Sequence, residues 1–356
     1  MIRKLFVALR GAMVAAVAAF PAALSAYSPL QADAVCVDSV LLSEADAFLR
    51  SLPEGLQARQ EEAVRRAMKG DFSALEAVRQ SRNVPPALPA DVVATDISDT
   101  YRLYRPASCA SGRLPLLIYL HGGGWCFGSI NSCARFCAEL SRRAGMAVLA
   151  VDYPLAPRYP FPHALDASLE AVGFARDNAA RYGFDPDRIS LGGDSAGGNL
   201  ALSAAIAVAS GQRHGRLSLP AGALRSLVLF YPVVKAWSDG SESWQSYGSG
   251  YGLDASIMEA FNEAYAGPSD ARQPLVSPFC AASDALAKLP PVMMVSADRD
   301  ILRDQGADMA RRLRESGVAV SHRILPSTVH LFITVPGQQR AFDMAVDAAA
   351  GFLAED

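Results

Sequence analysis

Two stretches of this chain carry residue types and spacings suited to acyl chemistry. In the first, Gly193-Asp-Ser-Ala-Gly197, a serine stands between two glycines. The apolar run before it, Arg188–Gly193, reads as a strand, and the alanine-rich run after it, Ser195–Ser210, reads as a helix. A serine on so sharp a strand-to-helix turn exposes its hydroxyl, and the helix N-terminus favours negative charge beside it. Gly193 and Gly197 leave space where a Cβ would collide with a neighbouring strand or helix. The second stretch, His121-Gly-Gly-Gly-Trp125, follows the apolar run Leu114–Leu120. Glycine is poor at holding regular structure because it loses the most backbone freedom on folding. Three in succession behind a buried strand therefore suggest that bare backbone is needed there. Attack of Ser195 on an acyl carbon creates an oxyanion, and the backbone N–H groups of Gly123, Gly124 and Ala196 are suited to stabilising it.

A serine hydroxyl is a weak nucleophile until a base takes its proton, and the base needs a carboxylate to orient it. On an elbow of this kind the acid and then the histidine follow the serine in the chain. His121 and His163 precede Ser195; His214 lies in a polar loop, and His322 lies inside an apolar, strand-like run. His330, in a loop after the last strand, is the expected base. The acid comes from Asp298, Asp300 or Asp304, all in the segment after the run Pro290–Ala297. Asp300 lies in the loop before the next helix and is the first choice, Asp298 is the alternative, and Asp304 falls within that helix. His121 is expected to tie down the glycine loop.

The elements that must position these residues alternate in type. Leu114–Leu120, Ala147–Tyr153, Arg188–Gly193, Leu224–Pro232, Pro290–Ala297 and Val318–Leu325 read as strands. Helical patterns stand between them at Cys133–Arg143, Ala164–Tyr182, Ser195–Ser210, Asp254–Ala266 and Ile301–Ser316, with a last helix at Gln338–Ala354. Asp99–Pro106 reads as an edge strand and Trp237–Gly252 as a loop. Continuous apolar strands alternating with helices imply an α/β fold, with a mainly parallel sheet covered on both faces. In such sheets the site lies at the carboxyl ends of the strands, and the residues singled out above fall there. Residues 36–90 differ: apolar residues recur at helical spacing, and the proline-rich Asn83–Asp91 then breaks the pattern. This segment reads as a helical cap preceding a domain over 91–356.

The chain has 356 residues, 51% of them hydrophobic, and a net charge of -3. That is ample for a large core and offers no basic excess to recruit nucleic acid. Residues 1–26 carry Arg3, Lys4 and Arg10 ahead of a short apolar stretch that ends in small residues. This reads as a signal peptide, cleaved after Ala26 or as late as Ala34, with the mature chain secreted or periplasmic. An uncleaved anchor is the alternative. Six cysteines, Cys36, Cys109, Cys126, Cys133, Cys137 and Cys280, could then pair or stay as buried thiols, and fifteen complete pairings are open. No second close Cys or His pair accompanies Cys133 and Cys137, so a metal site is not argued.

Taken in order, "HGGGW", "DYPLAPRYPFPHALDA", "GDSAGGNLA", "DILRDQG" and "VHLF" resemble the hormone-sensitive-lipase-like α/β hydrolases, a family of carboxylesterases and arylacetamide deacetylases. The resemblance covers roughly residues 90–356. It implies the α/β-hydrolase fold and a triad of Ser195, Asp300 and His330. It also implies oxyanion donors at Gly123, Gly124 and Ala196, a cap built from the N-terminal helices, and a small ester substrate with no cofactor or metal. Three positions depart from the family's pattern: Pro154 stands for an arginine and Arg158 for a glutamate that together brace the glycine loop, and Leu331 stands for the glycine after the histidine. The expected activity is hydrolysis of short-chain acyl esters through an acyl-enzyme. The alternatives are a non-catalytic small-molecule-binding protein on the same fold, or an amidase or peptidase using the same triad.

Overall fold

A computed structural model describes residues 39–109, 112–211, 219–220 and 222–355, all within one compact unit, Val37–Asp356. The expected signal peptide, Cys36 and His214 lie outside the described residues. In chain order the elements begin with three helices, α1 (Ser39–Ser51), α2 (Leu56–Met68) and α3 (Ser73–Arg82), and two strands, β1 (Val92–Asp96) and β2 (Tyr101–Pro106). Then come β3 (Leu114–Leu120), α4 (Ala134–Ala144), β4 (Ala147–Val151), α5 (His163–Asp177), α6 (Ala179–Tyr182), β5 (Phe184–Asp194), α7 (Ala196–Ala209) and β6 (Leu227–Phe230). The chain ends with α8 (Glu242–Tyr247), α9 (Ala255–Ala266), α10 (Ser283–Leu286), β7 (Val292–Arg299), α11 (Arg303–Glu315), β8 (Val320–Val329) and α12 (Gln339–Glu355).

The strands form one sheet in the order β1-β2-β4-β3-β5-β6-β7-β8. β2 runs antiparallel to both its neighbours, and all other pairings are parallel. The expected parallel sheet is therefore present, with an antiparallel pair at one side. Asp99–Pro106 is not the edge: β1 covers it. Only Val92 of β1 is buried, so β1 lacks the apolar signature of an inner strand and is an edge strand that faces water. The run read as one helix over Ala164–Tyr182 divides at Asn178 into α5 and α6, and the Trp237–Gly252 loop contains α8.

The core explains why α7 is almost wholly apolar. From Ala196 to Val208 every residue of this helix is buried, as expected for a helix enclosed on all sides. Its small alanines let it lie close to the central strands. Two large clusters of buried apolar side chains flank the sheet, with Leu116, Ile118 and Leu120 of β3 in one and Leu117 and Tyr119 in the other. This strict alternation across two dry faces fixes the register of β3, because a slip by one residue would exchange both faces. A rigid β3 and β5 set the height of the two loops that leave their carboxyl ends.

The N-terminal helices reach three different parts of that end of the sheet. α1 packs Ala45 and Phe48 on Val329, beside Leu331. α2 pairs with α9 through an Arg65–Glu263 contact of 3.2 Å. α3 bonds to the loops after β3 and β4.

Candidate active site

Ser195 lies between the end of β5 and the start of α7 with φ 54° and ψ −117°, a backbone conformation that costs about 1–3 kcal/mol for a non-glycine residue. The surroundings enforce it. The Ser195 N–H donates to Phe230 O of β6 (2.9 Å), and its carbonyl accepts from Val233 N–H (3.2 Å) and Asn199 N–H (3.0 Å). The flanking glycines are required by contact: a Cβ on Gly193 would come within 2.5 Å of Leu120 O, and one on Gly197 would overlap the same carbonyl. The close approach of β3 to the elbow thus depends on both glycines.

The His330 ring bridges to Ser195 and Asp300. Its Nε2 lies 3.0 Å from Ser195 Oγ and its Nδ1 lies 2.6 Å from Asp300 Oδ2. All three side chains are nearly inaccessible, at 5%, 2% and 2% exposure. Asp300 Oδ1 is held by the Leu302 N–H at 3.0 Å. This makes Asp300 an acceptor for an Nδ1 proton, leaving Nε2 as the basic lone pair that faces the serine hydroxyl. The other two carboxylates are engaged elsewhere: Asp298 accepts from Ser327 N–H (3.0 Å), and Asp304 accepts from Ser243 N–H (2.8 Å).

The glycine loop lies beside Ser195 with Gly123 at φ 121° and Gly124 at φ 59°. Both conformations favour glycine. A Cβ on Gly123 would press on Phe127 O at 2.5 Å, and one on Gly124 would overlap the Phe261 ring of α9. Among the described residues, no hydrogen bond engages the N–H groups of Gly123, Gly124 or Ala196. Unlike most main-chain donors beside a buried site, they are free to serve a ligand oxygen.

Several supporting residues were not singled out from the sequence. Asp194, adjacent to the nucleophile, accepts at Oδ1 from Tyr119 Oη and from Gly122 N–H, both at 3.0 Å, and so fastens the glycine loop to the elbow. Burial pushes its carboxyl up from 3.8 to about 6, against the opposing pull of Tyr119, His121 and Gly122. Because the folded-state value is raised, its contribution to stability is full below about 4 and is lost as pH rises through about 6. Gln338 holds the histidine loop by accepting from Val329 N–H (3.0 Å) and donating to Val329 O (3.1 Å) and His330 O (3.2 Å). Tyr231 packs on the His330 ring at 4.3 Å. Only Asp194 carried a sequence signal, its place inside the serine motif. His121 is tied as expected: it stacks on Tyr153 at 4.3 Å, and its Nδ1 lies 2.9 Å from Gly122 O.

The departures from the family pattern have physical counterparts. Leu331 has φ 75°, the left-handed conformation a glycine would take freely, yet His330 keeps both its bonds. The Leu331 side chain packs with Ala45, Phe48 and Val329, which offsets the backbone cost. We predict that Leu331→Gly is more stable than Leu331→Ala by about 1 kcal/mol, the reverse of the order at ordinary backbone angles. Thermal unfolding of the two variants decides this, and an alanine variant as stable as the glycine one would refute it. Arg158 is exposed and lies over the Phe72 ring at 4.3 Å. Cys109, Cys126, Cys133, Cys137 and Cys280 are all free thiols. Trp244 is buried packing, while Tyr247 and Tyr251 meet edge to face at 4.9 Å.

The non-glycine residues of positive φ among those described are Trp125, Ser195, Tyr231, Ser327 and Leu331, Ser327 within β8 near its carboxyl end and the others just beyond the carboxyl ends of β3, β5, β6 and β8. Backbone strain gathered around one buried Ser–His–Asp array, with free backbone donors beside the serine, defines a serine hydrolase. The chain belongs to the α/β-hydrolase fold family, whose model matches residues 117–334, and within it to the hormone-sensitive-lipase-like carboxylesterases. It is 39% identical over 236 residues to ethyl acetate hydrolase of Pseudomonas putida, spanning 65% of this chain and 70% of that one. It is 35% identical over 251 residues to arylesterase of Saccharolobus solfataricus, spanning 69% and 77%. Among solved structures, the ester hydrolase EH1AB1 from the metagenome of Lake Arreo superposes with a TM-score of 0.69 at 31% identity, covering 88% of this chain and 96% of that one.

Proposed function

We propose that the protein hydrolyses small esters with short acyl chains, acetyl esters among them, through an acyl-enzyme on Ser195. The observation that carries this reading is the unbroken array from Ser195 Oγ through His330 to Asp300, at 3.0 and 2.6 Å. In this reading His330 Nε2 takes the hydroxyl proton as Ser195 attacks the ester carbonyl. Asp300 holds the imidazole in the productive tautomer and stabilises the imidazolium. Gly123, Gly124 and Ala196 donate N–H groups to the oxyanion. The imidazolium then returns its proton to the departing alkoxide, and water repeats the sequence to free the acid and restore Ser195. Support for the substrate class comes from relatives that are an ethyl acetate hydrolase and an arylesterase.

Export of the mature chain is part of the same proposal, argued from the basic-then-apolar order of residues 1–26. One experiment addresses both. The full-length chain is expressed, its product is collected from outside the cytoplasm and its N-terminus is read. It is then assayed on p-nitrophenyl esters from two to twelve carbons. The expected result is a start after Ala26 or Ala34 and a rate that falls with acyl length. A folded product inert on all lengths would end the esterase reading, and an intact Met1 would end the export reading.

A further inference from the structure

The loop that presents Gly123 and Gly124 closes on itself: Cys126 N–H and Phe127 N–H both donate to Gly123 O, at 3.1 and 2.8 Å. Its outward carbonyls must then find partners elsewhere. Trp125 O accepts from Ala156 N–H at 2.9 Å. Cys126 O accepts from a side chain outside the hydrolase sheet, Arg79 of α3. The Arg79 guanidinium donates Nε to Cys126 O (2.9 Å), Nη2 to Ala156 O (2.8 Å) and Nη1 to Glu76 Oε1 (2.8 Å). Only 14% of the Arg79 side chain is exposed. One planar group thus joins the glycine loop to the segment after β4 and holds both to α3.

We infer that Arg79 is a positioning residue for the oxyanion donors, and that α3 sets their alignment through it. The geometry favours this over a merely packing role. The three bonds leave the guanidinium in three directions, a fork that a lysine ammonium on its flexible stem cannot reproduce. The Cys126 peptide whose carbonyl it holds is next to the two N–H groups that close on Gly123 O. Tilting that peptide therefore moves the Gly123 and Gly124 donors. Two neighbours secure the same loop: Asn83, just after α3, accepts at Oδ1 from Ser129 Oγ and Asn131 Nδ2, both at 2.7 Å, and Arg82 of α3 lies over the Phe127 ring at 5.2 Å. These hold the outer part of the loop, which leaves Arg79 as the tie from α3 nearest the donors.

Arg79 lines a cavity of about 490 Å³ together with Glu76, Asn83, Asp152, Pro154 and Tyr159. Truncating Arg79 enlarges a space that small solutes can already enter, next to two carbonyls left without a donor. A guanidinium ion has the shape to bridge them again, and an ammonium ion does not.

The inference rests on the esterase reading above, so the test has one arm that needs no activity. In Arg79→Ala, amide exchange at Cys126 and Phe127 is expected to speed at least tenfold over wild type, while that of Asn199 in α7 stays unchanged. On p-nitrophenyl acetate, kcat is expected to fall about 10- to 100-fold, the range for a small misplacement of the catalytic array, with KM changed less than threefold. Arg79→Lys, which keeps the charge and guards against misfolding, is expected to show the same fall. Ethylguanidinium at non-denaturing concentration is expected to restore part of the Arg79→Ala rate, and ethylammonium none. Wild-type exchange and kcat in both variants would overturn the inference. So would a loss explained wholly by a smaller folded fraction, counted by titration of Ser195 with a fluorophosphonate. If wild type is inert on esters, the esterase reading fails, while the exchange arm still decides whether Arg79 holds the loop.

Discussion

Ser195→Ala and His330→Ala are each expected to lower kcat on a short-chain p-nitrophenyl ester by about 10⁶-fold, and the double variant by no more than either alone. The physical reason is the shared proton. Without Ser195 Oγ the imidazole has nothing to deprotonate, and without Nε2, 3.0 Å away, the hydroxyl keeps its proton. Each loss disables the same event, so the effects cannot add. Asp300→Asn tests the next link. An amide there can present its N–H to Nδ1, turn the ring to the wrong tautomer and cost about 10⁴-fold, with Leu302 N–H still available to hold the side chain. Single-turnover kinetics on the four variants measure all of this. A His330→Ala protein keeping more than about a hundredth of wild-type kcat would exclude His330 as the base, because general-base catalysis is worth at least ~10².

Gly124→Ala is the second large effect. The substitution meets two separate obstacles. An alanine at φ 59° is strained by about 1–2 kcal/mol, and its methyl overlaps the Phe261 ring. If the loop yields, the Gly124 N–H leaves the oxyanion position. Losing one such donor costs about 10² to 10³ in kcat, with KM little changed, because the donor serves the transition state more than the bound ester. Pairing the change with Phe261→Ala removes the steric obstacle and keeps the backbone one. The double variant is therefore expected to recover part of the rate but not all of it. Steady-state kinetics on the single and double variants, with unfolding monitored alongside, separate the two causes. A folded Gly124→Ala enzyme with wild-type kcat would remove Gly124 from the oxyanion site.

α1 is tied to the strand ends that lead to Asp300 and His330. Arg299, next to Asp300, donates Nη1 to Asp46 of α1 (2.9 Å) and Nε to Ser327 O (2.9 Å). Asp298 accepts from Ser327 N–H. The ends of β7 and β8 are thus clamped to each other at Ser327, and α1 is fastened to the clamp. Asp298, a plausible acid from sequence, serves this clamp instead.

The features legible before folding are local. The elbow was legible because a tight strand-to-helix turn demands small residues within two positions of the serine, and the glycine loop because bare backbone has a composition. The inner strands were legible because burial on both faces requires an unbroken apolar run, and His330 and Asp300 because they follow such runs directly. Tertiary structure decided the rest. Whether Asp298, Asp300 or Asp304 meets His330 depends on how far β7 extends before α11 begins, a matter of one residue's direction. β1 was hidden because an edge strand facing water has no apolar alternation to display. Arg79 braces Cys126 across 47 residues, and Asp46 meets Arg299 across 253; surface-type residues carry no mark of a partner so distant. Leu331 is the clearest case. Its residue type argues against a left-handed backbone, and only the packing of α1 against its side chain makes that conformation tolerable.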